Sequence, residues 1–114
     1  MSSIGQLIKW IEENPGAILS TEALAKKSGL SIRALHRRFI ADAGVTPARF
    51  VDRTRVRAAQ RLITTTNLRL RDIAAACGFR SATVMHRAFR RQLGVTAVEY
   101  RRSALKRLHT ARPD

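Results

Sequence analysis

Arg37, Phe39, Gly44, Val45 and Thr46 recur, in order and fifty positions later, as Arg87, Phe89, Gly94, Val95 and Thr96. Ala25 and Gly29 recur at a spacing of 49, as Ala74 and Gly78, so the second copy carries one extra residue in its turn. A chain of 114 residues has room for one such duplication and little else. Each copy must therefore be a small unit that buries its own apolar face.

The apolar spacing within the copies is helical, and alternating β-branched runs are absent, which excludes a sheet. Ser3 caps a first helix whose Ile4, Leu7, Ile8 and Ile11 share a stripe, with Trp10 beside them in the core, and Asn14-Pro15-Gly16 ends it. Ser20 caps a short second helix with Glu22 near its positive end and Leu24 and Ala25 facing inward; Gly29 closes it. Ser31 opens a third helix that runs to about Ala43. Only Ser28-Gly29-Leu30 separates the two, which is the spacing of a helix-turn-helix.

Thr46-Pro47 starts a long helix reaching about Ile63, and the pattern breaks over Thr64 to Asn67. The second copy then supplies a fifth helix over Leu70 to Ala76, stopped by Gly78, and a sixth from Ser81 to about Leu93. A seventh covers about Ala97 to Arg102, and the stretch after Ser103, with Pro113-Asp114 at its frayed end, has no strong signal. The expected organisation is a first helix-turn-helix subdomain (1–46), a linker helix (47–63), a second subdomain (64–103) and a tail (104–114): an all-α fold of about seven helices.

At 100° per residue, Ile32, Leu35, Phe39 and Ala43 gather on an inner face of the third helix, and Arg33, His36, Arg37 and Ile40 on an outer one. The sixth helix repeats this, with Ala82, Met85, Phe89 and Leu93 inside and Thr83, His86, Arg87 and Arg90 outside. Two helices thus present basic and hydrogen-bonding groups in register.

Charge identifies what such faces meet. Lys and Arg total 22 against 8 Asp and Glu, a net charge of +14, and 18 of the 22 are Arg. Residues 58–114 are the more cationic half, with 12 basic and 3 acidic side chains against 10 and 5 before them. A guanidinium fork grips phosphate or guanine bidentately, so a polyanion is the implied partner. A helix in the major groove reads base edges from its N-terminal half, which points to Arg33 and Arg37 and then to Thr83 and Arg87, with His36 and His86 as weaker contacts.

Other groups position rather than specify. Arg49, Arg53 and Arg57 recur every four residues on the long helix, Arg80, Arg90 and Arg91 flank the sixth, and helix starts at Ser31 and Ser81 offer backbone N–H groups to phosphate. Arg69 and Arg71 sit at the positive end of the fifth helix, an unfavourable place for a cation that a phosphate would relieve.

Enzyme chemistry finds no inventory: three His, one Cys and scattered carboxylates show no metal-ligand spacing, phosphate loop or triad, and no cofactor is expected. Cys77 falls on the inner face and is expected to pack. A basic RNA-binding or non-specific nucleic-acid-binding protein is the alternative. It is opposed by an aromatic content of 5 %, with Phe39 and Phe89 on inner faces rather than free to stack bases. Apolar runs such as Ile73 to Cys77 fall far short of the roughly 18 residues that span a bilayer. A soluble, reduced, cytoplasmic setting without membrane partners is expected.

Leu24-Ala25, Ser28-Gly29-Leu30-Ser31, Leu35-His36-Arg37-Arg38-Phe39 and Gly44-Val45-Thr46-Pro47, followed by Asp72-Ile73-Ala74, Cys77-Gly78-Phe79, Arg87-Ala88-Phe89-Arg90, Gly94-Val95-Thr96 and Tyr100-Arg101, resemble the DNA-binding domain of AraC/XylS bacterial transcription regulators. The resemblance covers about residues 4–102 and is similar above all to the C-terminal part of GlxA-like members. It implies a homeodomain-like fold, with two helix-turn-helix subdomains on a linker helix inserting both recognition helices into successive major-groove segments of duplex DNA. The family's base-reading positions fall on Arg33, His36 and Arg37 and on Ala82, Thr83 and Arg87. Activation is the family's commoner mode, with RNA polymerase as a partner. A separate sensing or dimerising domain is usual, and the Asn14-Pro15-Gly16 approach favours an excised half of such a protein. Two departures stand out: Ala97 replaces the usual proline, and Ala82 offers a base only apolar contact.

Overall fold

Hydroxyl groups set where most of the helices begin. In the computed structural model, which describes residues 3–110, the Ser3 hydroxyl accepts from the Gln6 N–H at 3.1 Å and opens α1 (Ile4–Glu13). Ser20 accepts from Ala23 at 3.2 Å to open α2 (Thr21–Ser28), and Ser31 from Ala34 at 3.1 Å to open α3 (Ile32–Ala43). Thr46 accepts from Arg49 at 3.2 Å ahead of α4 (Pro47–Thr65). α5 (Leu70–Ala76) follows Arg69 without a side-chain cap. Ser81 accepts from Val84 at 3.2 Å to open α6 (Ala82–Leu93), and α7 spans Ala97–Thr110. Each cap satisfies an otherwise orphaned N–H and is worth about 0.5–2 kcal/mol.

Gly44 and Gly94 stop α3 and α6 at φ 76° and 78°. A Cβ at either would meet nothing within 4 Å, so the demand for glycine is conformational rather than steric. The left-handed region costs other residues about 1–2 kcal/mol.

α7 starts without the family's proline because Thr96 and Glu99 form a reciprocal capping box. The Thr96 N–H donates to Glu99 Oε1 at 2.8 Å, and the Glu99 N–H donates to Thr96 Oγ1 at 3.1 Å. The Thr96 N–H and hydroxyl hold the Glu99 carboxyl below its ordinary 4.5 against a smaller opposing effect of desolvation, and the positive Arg90 and Arg102 add still smaller pulls in the lowering direction. A carboxylate depressed in the folded state adds stability above its unfolded pKa, and that contribution is lost as pH falls through the folded value. Glu99→Gln keeps the box geometry and removes the charge. The stability gap between parent and variant, read as urea midpoints, should therefore be open at pH 7 and close as pH falls through the acid range. A gap independent of pH would contradict this role.

The chain divides into two compact units, Met1–Arg55 and Val56–Asp114, with the boundary inside α4. The first unit packs Ile4, Leu7, Ile11, Leu24, Leu35, Phe39 and Val51 together. The second packs Val56, Ala59, Ile63, Ile73, Met85, Phe89 and Ala97. The duplication extends to aromatic geometry: Phe39 meets Phe50 edge-on at 5.5 Å and 64°, and Phe89 meets Tyr100 at 5.7 Å and 67°.

Several boundaries differ from the sequence expectation. α4 continues two residues past Ile63, with the Thr66 N–H still donating to the Leu62 carbonyl at 3.0 Å, while the Thr64 and Thr65 hydroxyls donate back to the Gln60 and Arg61 carbonyls and Thr66 Oγ1 to Leu62 O at 2.6 Å, a competition that marks the helix end. α7 continues well past Arg102, with Ala104 buried below Tyr100. Expectations for the last residues, Pro113-Asp114 included, lie outside the described residues. Ile32 and Leu93, expected in the core, are 45 % and 40 % exposed; each is the end residue of its helix, beyond the reach of the packed neighbours. Ala82, the first residue of α6, and Ala43, the last of α3, are half-buried, and Ala43 still packs against the core of the first unit. Trp10 is also half-buried, with the Lys27 ammonium 4.0 Å above its ring.

Candidate nucleic-acid interface

In the first unit, α3 is held by Leu35 and Phe39, both with no exposed surface. Its opposite side carries Arg33 and Arg37, both exposed, with His36 half-buried and Ile40 exposed. No carboxylate among the described residues pairs with Arg33 or Arg37. Two guanidinium groups therefore project from a helix fixed by its cap, its glycine stop and its buried ring. Ser31 is exposed at the start of the same helix, and Arg49 and Arg53 are exposed on α4.

In the second unit, Met85, Ala88 and Phe89 are buried and anchor α6. Thr83 and Arg87 are exposed on its outer side, and Arg87 again has no carboxylate partner among the described residues. Ala82 is turned partly inward, whereas Val84, two residues on, is more open. His86 is half-buried with its Nδ1 enclosed and unpartnered, which leaves Nε2 for any outside contact. Arg80 and Ser81 are exposed before the helix, Arg90 and Arg91 in its last turn, and Arg69 at the start of α5. Arg90 approaches Glu99 at 3.6 Å, with both side chains largely solvated, a pair that contributes little to stability.

The sequence-predicted residues thus form two groups. Ser31, Arg33, His36 and Arg37 share α3, with Arg49 and Arg53 in the same unit. Arg80, Ser81, Ala82, Thr83, His86, Arg87, Arg90 and Arg91 cluster along α6 in the other, with Arg69 on a different helix start.

Two arginines escaped sequence reasoning because they serve the scaffold. Arg55 donates to the Pro15 and Ala17 carbonyls, both at 3.0 Å, and ties the α1–α2 connection to α4. Arg101 Nη1 donates to Leu68 O at 2.7 Å and ties the α4–α5 connection to α7. Partners 33 to 40 residues away leave no local signature. Cys77 is buried, as its inner position implied. Among the described residues no group of three His, Cys, Asp or Glu could hold a metal, and no helix is long and apolar enough to cross a membrane.

The family model described as a helix-turn-helix domain matches residues 24–103. The chain is 34 % identical over 98 residues to the HTH-type transcriptional activator RhaS of Escherichia fergusonii, and equally so to RhaS of an Enterobacter species; the match covers 86 % of this chain. It spans about a third of the length of those relatives, 35 % in each case. Among solved structures it superposes on the DNA-binding domain of AdpA, described as a global transcriptional factor in complex with a target DNA, with a TM-score of 0.88 and 32 % identity. That match covers 94 % of this chain and 96 % of the other. An AraC-type transcriptional regulator from Chromobacterium violaceum matches with a TM-score of 0.79 at 27 % identity, covering 97 % of this chain and 94 % of that one. On this fold and these matches, the chain belongs to the AraC-type helix-turn-helix domain family.

Proposed function

We propose that this chain is the sequence-specific, double-stranded-DNA-binding part of a bacterial AraC-type transcription regulator, acting in the cytoplasm on the nucleoid. Arg33, His36 and Arg37 on α3 and Ala82, Thr83 and Arg87 on α6 read bases. Ser31, Arg49, Arg53, Arg69, Arg80, Ser81, His86, Arg90 and Arg91 contact phosphates. The observation that carries this reading is the pair of exposed outer faces, one per unit, on which arginines without carboxylate partners stand opposite a buried phenylalanine. Such a helix is rigid, and Arg33, Arg37 and Arg87 have no carboxylate partner among the described residues to give up, so it meets a groove with little reorganisation.

Activation is the proposed mode, since the RhaS relatives are named as activators, with RNA polymerase as a partner. A sensing or dimerisation domain would account for the two-thirds of those relatives that the chain does not match. The chemistry is that of binding rather than catalysis.

Competition at about 0.15 M salt tests the nucleic-acid class. Duplex DNA should displace a bound labelled duplex at far lower concentration than single-stranded or duplex RNA of equal length. Equal competition by RNA would overturn the reading in favour of a general polyanion binder. Burial of Phe39 and Phe89, which removes them as stacking platforms, argues against that outcome.

A further inference from the structure

Val84 is the one residue of the first turns of α6 that is both branched-apolar and open, at 38 % exposure. Other large apolar side chains are exposed too, but Val84 is the one placed in the first turns of the second recognition helix. Its N–H is satisfied by the Ser81 hydroxyl at 3.2 Å, but its side chain belongs to neither apolar core. A β-branched residue on a solvated helix also gives up helix propensity. On the helix its neighbours are Arg87 three residues after, the buried Ala88 four after and Arg91 seven after, so its methyl groups lie at the edge between the inner face and the arginines of the outer one. A side chain chosen for solubility there would be polar.

Resting on the DNA-reading role proposed above, we infer that Val84 is a specificity-determining residue that packs against the C5-methyl group of a thymine beside the base read by Arg87. The thymine methyl is the one apolar feature of the major-groove edge, and it is met by apolar side chains near the start of a recognition helix. Ala82 reaches less far and is partly turned inward, so Val84 supplies the larger apolar contact of this helix. Flanking arginines hold the phosphates while the valine excludes water from the methyl.

The test uses the whole chain and a duplex site selected from a random pool. Each thymine of the site is replaced in turn by deoxyuridine, which keeps every hydrogen-bonding group and lacks only the methyl. One position, next to the base whose preference Arg87→Ala relaxes, should lose about fourfold in affinity, the worth of one buried methyl-sized group. Val84→Ala should bind the thymine and uracil forms equally, and Val84→Thr, which keeps one methyl, should retain part of the discrimination. The readout is a ratio within one protein, so a variant that is merely less stable leaves it unmoved. Loss at no thymine, or discrimination that survives in Val84→Ala, overturns the assignment while leaving the DNA-reading role intact. Failure to enrich any site overturns the role itself and this inference with it.

Discussion

Phe89→Ala lowers the unfolding free energy by about 3–5 kcal/mol, among the largest effects expected of a single truncation in this chain. The ring is wholly buried, packs edge-on to Tyr100 at 5.7 Å and sits among Met85, Ala88 and Ile73. Its removal leaves a cavity at the point where α6 is anchored to the second unit. Small domains carry about 5–15 kcal/mol in total, so the loss is a large share of the whole. Urea unfolding followed by circular dichroism measures it. Phe39→Ala should do the same in the first unit, where Phe39 is equally buried against Phe50. A loss below about 1 kcal/mol for either would mean that the ring is not the anchor described.

Arg37→Ala and Arg87→Ala each weaken binding to the preferred duplex by about 1–3 kcal/mol and relax sequence preference at one position. Both guanidinium groups are exposed, have no carboxylate partner among the described residues and stand opposite the buried rings. Their truncation leaves folding nearly unchanged, because they make no internal contact that stabilises the units. Arg53→Ala should instead weaken all sequences alike and reduce the slope of log affinity against log salt by about one. Titrations on the preferred site and on single-base variants separate the two behaviours. Equal loss on every sequence for all three variants would contradict the assignment of Arg37 and Arg87 as base readers.

How much of this was legible beforehand depended on how local the physics was. Ser3, Ser20, Ser31 and Ser81 cap where their spacing implied, since a cap is settled within four residues. Gly44 and Gly94 stop their helices for the same reason. The inner faces were read correctly at Leu35, Phe39, Met85 and Phe89 and wrongly at Ile32 and Leu93, because periodicity fixes direction around a helix and not whether a neighbour reaches its last residue. The extent of α7 was missed: Ala97, Tyr100 and Ala104 form its inward stripe, but two of the three are alanines amid basic residues. Its start at Ala97 was read correctly, although the Thr96–Glu99 capping box that sets it was not. The loop ties made by Arg55 and Arg101 depend on partners brought in by the fold. The open Val84 emerged only once the core was defined.

Selection from a random duplex pool with this 114-residue chain, at about 0.15 M salt and read by sequencing, tests the central claim most directly. Two readers acting in one chain predict a non-palindromic site with two enriched blocks about 10 bp apart, one for each recognition helix. Salt-sensitive binding with no enriched sequence would contradict it, because the arginines on α3 and α6 would then be holding phosphates and reading nothing.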